Sequence, residues 1–166
     1  MILQQTAGLT YLQKRIVSLV PSQTELLFDL GLESETVGIT KFCIHPLSWS
    51  KTKGCIGGTK TVNIDKIHLL KPDLIIANKE ENVKEQIEEL ALHYPVWLTN
   101  VNSLANALQM IADIGILTGN DAAASTLIDS ISKAFNEIPK IEKPLKTAYL
   151  IWRKPHMELG TWRLEL

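Results

Sequence analysis

The chain has 166 residues, 45% of them apolar and 21% charged, and seventeen basic against eighteen acidic side chains leave a net charge of −1. A chain of this length forms one domain that hides roughly 70% of its extended surface from water, and the composition excludes disordered and fibrous classes. The charge balance excludes a nucleic-acid footprint of clustered Lys and Arg, and two cysteines with no C-x-x-C pair exclude a disulfide framework and thiolate zinc or redox chemistry.

Met1–Lys14 has no basic stretch ahead of an apolar run and no small-residue cleavage site, so it does not read as a secretory signal. Taken literally, the chain would stay in the cytoplasm. Arg15-Ile-Val-Ser-Leu-Val20 is a continuous, β-branched run of the kind a doubly covered parallel strand requires. Ser22-Gln-Thr-Glu25 then reads as a capping box, with Ser22 as the N-cap of a helix that buries Leu26, Leu27 and Leu30 and stops at Gly31. Thr36–Thr40 is a second strand, and Lys41–Val62 reads as a long loop rich in Gly and turn formers. Asn63 caps a short helix over Ile64–Leu70, which Lys71-Pro72-Asp73 ends because Pro disfavours helix in the residue before it.

Leu74–Ala77 is a third strand, and Val83–Leu92 a helix with Val83, Ile87, Leu90 and Ala91 on one face and acids opposite. Val96–Leu98 is a fourth, short strand. The uncharged stretch Tyr94–Ala112 contains Pro95, Thr99, Asn100, Asn102, Ser103, Asn106 and Gln109, far too polar for a bilayer span. Ser103–Thr118 is a helix ended by Gly119, and a longer one runs from Asn120 or Asp121 to Ile138. Thr147–Trp152 is a last run with the look of a buried parallel strand.

Strands that alternate with helices predict a three-layer α/β/α lobe around a short parallel sheet with right-handed crossovers. Ligands of such sheets lie beyond the carboxyl ends of the strands. That rule singles out four loops: Pro21–Thr24, Lys41–Asn63, Asn78–Asn82 and Thr99–Asn102.

The loops exclude several chemistries. Gly54–Thr61 resembles a phosphate loop, but Thr59 stands before Lys60 where a Gly is required, and no G-x-G-x-x-G follows a strand. Cys43 and His45 could supply two metal ligands where a closed site needs about four, so no metal is expected; His68 and His93 read as helix-surface and helix-end histidines. Ser22 occupies an elbow-like position but lacks both flanking glycines of a nucleophile elbow, so no catalytic residue is expected. Its helix start offers free N–H groups to an anion or carbonyl. Phe42, His45, Pro46 and Trp49 gather aromatic and amphipathic side chains on the long loop, as a ligand wall would. Equally, Phe42 and Trp49 could simply pin that loop to the body.

Arg15-Ile-Val-Ser-Leu-Val-Pro-Ser-Gln-Thr-Glu25-Leu, Val37-Gly-Ile-Thr40, Asn63-Ile-Asp65-Lys-Ile and Leu70-Lys-Pro-Asp-Leu-Ile-Ile-Ala77 together resemble the amino-terminal lobe of cobalamin- and siderophore-type substrate-binding proteins. These are the helical-backbone metal-chelate receptors of ABC importers. The match runs from Arg15 to about Trp152. It implies two α/β lobes joined by a long helix with ligand held between them, and no enzymatic activity. Residues 15–119 would be the ligand-binding lobe, 120–139 the connecting helix and 140–166 a remnant of the second lobe.

The same resemblance implies a corrinoid or iron chelate as ligand and an ABC permease as partner. It also implies a periplasmic or cell-surface location and a monomeric state. Phe42 matches an aromatic that the cobalamin binders carry after the second strand, whereas Thr59 and Asn78 stand where two others fall. Asp65 matches the acid that docks the lobe onto the permease. Pro21, Ser22, Thr24, Phe42, His45 and Trp49 are therefore the expected ligand wall, with Asp65 as the docking acid. A flavodoxin-like nucleotide-binding or enzymatic domain is the alternative that fold alone would allow. Only fourteen residues follow Trp152, so the expectation is an incomplete second lobe, a mobile tail after Pro139 and ligand binding that is weak or absent.

Overall fold

Residues 1–3 and 12–139 are described by the computed structural model, together with the backbone of 150–153 and 156–158. Two compact units, Met1–Ser130 and Ile131–Leu166, divide the chain.

In the first unit six strands form one sheet: β1 (Ile2–Leu3), β2 (Ile16–Ser18), β3 (Thr36–Ile39), β4 (Gly54–Cys55), β5 (Leu74–Asn78) and β6 (Val96–Thr99). Their order is β1-β6-β5-β2-β3-β4, and every pair is parallel. The connecting helices are α1 (Pro21–Asp29), α2 (Leu47–Thr52), α3 (Ile64–Leu70), α4 (Lys84–Ala91) and α5 (Leu104–Thr118), and α6 (Asp121–Asn136) follows.

The central strands are buried almost throughout, and apolar apart from Ser18 and Asn78 at their carboxyl ends, because both faces are covered. Val17, Leu19, Ile75, Ala77 and Val96 form one core with Ile67 of α3 and Ile87 and Leu90 of α4. The alternate residues Ile16, Leu74 and Ile76 are equally buried and point to the opposite face. There α1 packs on β2 and β3, and Gln23 of α1 reaches Thr99 of β6 and Met110 of α5. The expected α/β/α layering is therefore present. Gly38 on β3 allows the close seat of α3: a Cβ there would lie 2.5 Å from Leu70 Cδ1.

Chain direction sets where a ligand can sit. From β2 the chain steps outward through β3 to β4, then returns to place β5 and β6 on the other side of β2. The order thus reverses between β2 and β5. At such a switch point the two adjacent loops diverge and open a crevice beyond the strand ends.

Several expectations need correction. Ser22 is not the N-cap of α1: Val20 is, with no side-chain cap bond, and Pro21 takes the first helical position. The fixed φ and missing N–H of Pro suit that position, which displaces Ser22 into the first turn. The Asn63 cap and the two glycine stops hold, since Asn63 accepts from Lys66 N and Gly31 and Gly119 take positive φ after α1 and α5; Ser103 also caps α5 by accepting from Asn106 N. The Lys41–Val62 segment is no plain loop, because it contains α2, β4 and an antiparallel bridge between Gly57 and Val62.

Ile2–Leu3 pairs with Val96–Trp97 as an edge strand, an element too short to carry a pattern. In the second unit the expected lone parallel strand is instead half of an antiparallel pair, Leu150–Arg153 (β7) with His156–Glu158 (β8). A two-residue separation permits a hairpin, whereas a parallel partner needs a long crossover. Thr147, Ala148 and Tyr149 lie outside the described residues, as does most of the tail expected to be mobile after Pro139.

Candidate functional site at the carboxyl edge of the sheet

Four strand ends meet along one edge, held by a net of buried polar groups. Asn82, in the turn between β5 and α4, is the hub. Its Nδ2 donates to the carbonyls of Thr59 (3.0 Å) and Leu19 (3.4 Å), and its Oδ1 accepts from Asn78 N (2.8 Å). One side chain thus ties the loops that follow β2, β4 and β5. Asn78 extends the net: its Nδ2 donates to Thr99 Oγ1 (3.1 Å), and its Oδ1 accepts from the backbone N–H groups of Glu80 and Glu81. Thr99 Oγ1 donates to Ala77 O, and Gln23 Nε2 donates to Thr99 Oγ1. In a low-dielectric setting these bonds reinforce one another and make the edge stiff.

The expected site residues divide into two groups. Pro21, Ser22, Phe42, His45 and Asp65 are open to solvent at or near this edge. Pro21 and Ser22 begin α1 beside the switch point, where the first-turn N–H groups have no intrahelical acceptor. Phe42 follows β3 and is 52% exposed, with its Cε2 3.3 Å from where a Cβ of Gly58 would stand and Lys41 Nζ 5.1 Å from its ring centroid. Gly57 beside it has φ +101°, a conformation L side chains rarely adopt, so the β4–α3 loop can fold tightly beneath the ring. His45 precedes a cis-proline, Pro46, on the solvent side of the loop. Asp65 lies in the first turn of α3, which starts on the same edge.

Thr24 and Trp49 belong to the interior, which corrects their placement on the ligand wall. Thr24 is fully buried; its Oγ1 donates to Val20 O and Ser18 Oγ and lies 3.2 Å from Cys43 Sγ. Trp49 has no exposed surface and meets Phe28 edge-to-face at 5.5 Å between centroids. Its amphipathic helix α2 turns the indole inward, so Trp49 pins the segment to the body.

Both cysteines are free, Cys43 buried among Thr24 and Thr40 hydroxyls and Cys55 exposed. Among the described residues no three His, Cys, Asp or Glu side chains converge, and no helix is long and apolar enough to cross a membrane. Beside the end of β6, a groove of about 380 Å³ is lined by Lys79, Trp97, Asn100, Asn106, Met110 and Asp113. Sequence reasoning missed Asn82 and Gln23. The Asn78-x-x-x-Asn82 spacing directly after a strand was the available signal, since Asn side chains commonly bond backbone a few residues away.

A doubly wound parallel sheet, with its polar net and one exposed aromatic on the carboxyl edge, defines an α/β lobe with an open loop face. The family described as Periplasmic binding protein matches residues 16–156, and the chain belongs to it. It is 28% identical over 137 residues to an uncharacterized ABC transporter substrate-binding lipoprotein, YvrC, of Bacillus subtilis, covering 80% of this chain and 43% of that protein. It is 31% identical over 103 residues to a vitamin B12-binding protein of Yersinia pestis, covering 60% of this chain and 36% of that protein. The chain therefore spans less than half the length of these curated relatives. The periplasmic vitamin B12 binding protein of Vibrio cholerae superposes with a TM-score of 0.78 at 23% identity, over 87% of this chain and 58% of that one. A possible iron-binding periplasmic solute-binding protein of Staphylococcus epidermidis gives 0.72 at 26% identity, over 87% and 59%.

Proposed function

We propose that the chain is the ligand-capturing lobe of an ABC importer's substrate-binding component, with a corrinoid or another metal chelate as cargo. One observation carries this reading most: the match to the periplasmic binding protein family spans residues 16–156. The exposed Phe42, which follows β3, supports it. Names of relatives support the ligand class, since the Yersinia and Vibrio proteins are vitamin B12 binders and the Staphylococcus protein a possible iron binder. Pro21, Ser22 and Phe42 form the wall in this proposal, with His45 at its rim. Aromatic area supplies affinity and helix-start N–H groups supply orientation.

The lobe spans residues 15–119, the connecting helix 120–139 and the second-lobe portion 140–166. It works outside the cytoplasm as a monomer, performs no catalysis and hands its ligand to a permease. Asp65, exposed on a helix start at the same edge, is the acid that meets the permease. Nothing on the edge favours the flavodoxin-like alternative, as the glycine-rich phosphate turn is missing and the family match points elsewhere.

The test is a spectral titration with cobalamin, cobinamide and haem, run beside FMN and ATP. Absorbance changes with a corrinoid or haem, lost in Phe42→Ala, are the expected result. Changes with FMN or ATP alone would overturn the proposal. In a full-length relative carrying this edge, replacing the acid at the Asp65 position should leave ligand affinity intact and weaken transport.

A further inference from the structure

At the opposite edge of the sheet, α3 and α4 end side by side and bring two histidines together. His68 is in the last turn of α3, and His93 and Tyr94 lie between α4 and β6. The two imidazole centroids are 5.1 Å apart with planes at 83°. His68 Nδ1 is 2.8 Å from the Tyr94 hydroxyl. We propose that His68 and His93 form a two-histidine site for a borderline divalent cation such as zinc.

The spacing supports this. With metal–nitrogen bonds of about 2.0–2.1 Å, and a ring centroid about 1.2 Å behind each nitrogen, two imidazoles on one tetrahedral ion place their centroids about 5.2 Å apart, against about 4.5 Å at a right angle. The observed 5.1 Å fits the tetrahedral case. The Tyr94 hydroxyl offers what a ligating histidine needs at its second nitrogen: an oxygen that can accept from Nδ1–H, the tautomer in which Nε2 is free to bind the ion. Burial offers little competing explanation, because His93 is exposed and His68 only half-buried, so edge-to-face packing hides little apolar area.

Two imidazoles suit zinc rather than calcium or magnesium, and the tetrahedral spacing favours zinc over copper(II) and nickel(II), whose tetragonal geometry sets neighbouring imidazoles at a right angle. Water completes the coordination sphere. The ion would bridge the end of α3 to the lead-in of β6, away from the edge where the proposed cargo sits. The inference is thus independent of the transport reading.

The experiment uses the untagged full chain with the exposed thiol removed by Cys55→Ser. Calorimetric titration with ZnCl2 at about 100 μM should show one ion per chain, and His68→Ala and His93→Ala should each weaken binding at least tenfold. Tyr94→Phe should weaken it less than either histidine substitution, whereas His45→Ala should leave it unchanged. Cobalt(II) should give the intense visible bands of a tetrahedral site, which disappear in His93→Ala. No zinc uptake, or uptake insensitive to both histidine substitutions, would overturn the site. Cobalt spectra with only weak octahedral bands would overturn its geometry.

Discussion

Asn82 Nδ2 donates to the carbonyl of Thr59 at 3.0 Å, a contact that joins the β5–α4 turn to the loop after β4 across twenty-three residues of chain. The same amide group serves Leu19 O and Asn78 N, so truncation strands three backbone groups at once. Asn82→Ala should therefore cost about 1–3 kcal/mol, the penalty for leaving buried polar groups unpaired. Asn82→Asp should be at least as damaging, because it keeps the acceptor and turns carboxylate lone pairs toward two carbonyls. Urea unfolding measures both; a loss below about 0.5 kcal/mol for Asn82→Ala would show that water replaces the amide freely.

The corrected start of α1 makes a second prediction. Asn63 and Ser103 cap their helices through side-chain bonds, whereas Ser22 makes none. Asn63→Ala and Ser103→Ala should each cost about 1 kcal/mol. Ser22→Ala should change stability by less than about 0.5 kcal/mol, as an exposed substitution without a cap bond does. A Ser22→Ala loss equal to the other two in the same denaturant series would restore the capping-box reading.

That contrast shows why part of the molecule was legible and part was not. Continuous apolar runs such as Leu74–Ala77 announce buried parallel strands, and Asn63, Ser103, Gly31 and Gly119 punctuate helices through local chemistry alone. The α/β/α lobe follows from those signals. Long-range facts do not. Ser22 satisfied a local cap pattern, but Pro21 competes for the first helical position and wins. Phe42 and Trp49 are seven residues apart on one segment, and only the path of α2 decides that one faces solvent and the other the core. Asn82 looked like an ordinary turn residue, because its partners at Leu19 and Thr59 are distant in sequence.

The two aromatics should respond in opposite ways. Trp49 is wholly buried against Phe28, so Trp49→Ala should cost about 3–5 kcal/mol through lost transfer energy and the cavity left behind. Its Nε1 has no acceptor among the described residues, so Trp49→Phe, which removes that orphan donor, should recover most of the loss. Phe42→Ala, at a half-exposed position, should cost less than about 1 kcal/mol while abolishing the spectral response to corrinoid or haem. Thermal unfolding together with the titration separates the two roles. Equal destabilisation by Phe42→Ala and Trp49→Ala would contradict the division of this segment into a pin and a wall.

Gly115 provides a test in which two local rules disagree on sign. It lies inside α5, where Gly is normally worse than Ala by about 0.5–1 kcal/mol, so helix propensity predicts that Gly115→Ala stabilises. Packing predicts the reverse. A Cβ at this position would lie 2.6 Å from Ala124 Cβ and 3.4 Å from Asp121 Cα, so α6 would have to move away from α5. Ala124 is itself buried and has no rotamer with which to yield. Overpacking of this kind costs about 1–3 kcal/mol, more than the propensity gain, and the net result should be destabilisation. The double variant Gly115→Ala, Ala124→Gly restores the space, so its loss should fall short of the sum of the two single losses by about 1 kcal/mol or more. A stabilised Gly115→Ala in urea unfolding, or strict additivity in the cycle, would mean that the two helices can separate at no cost.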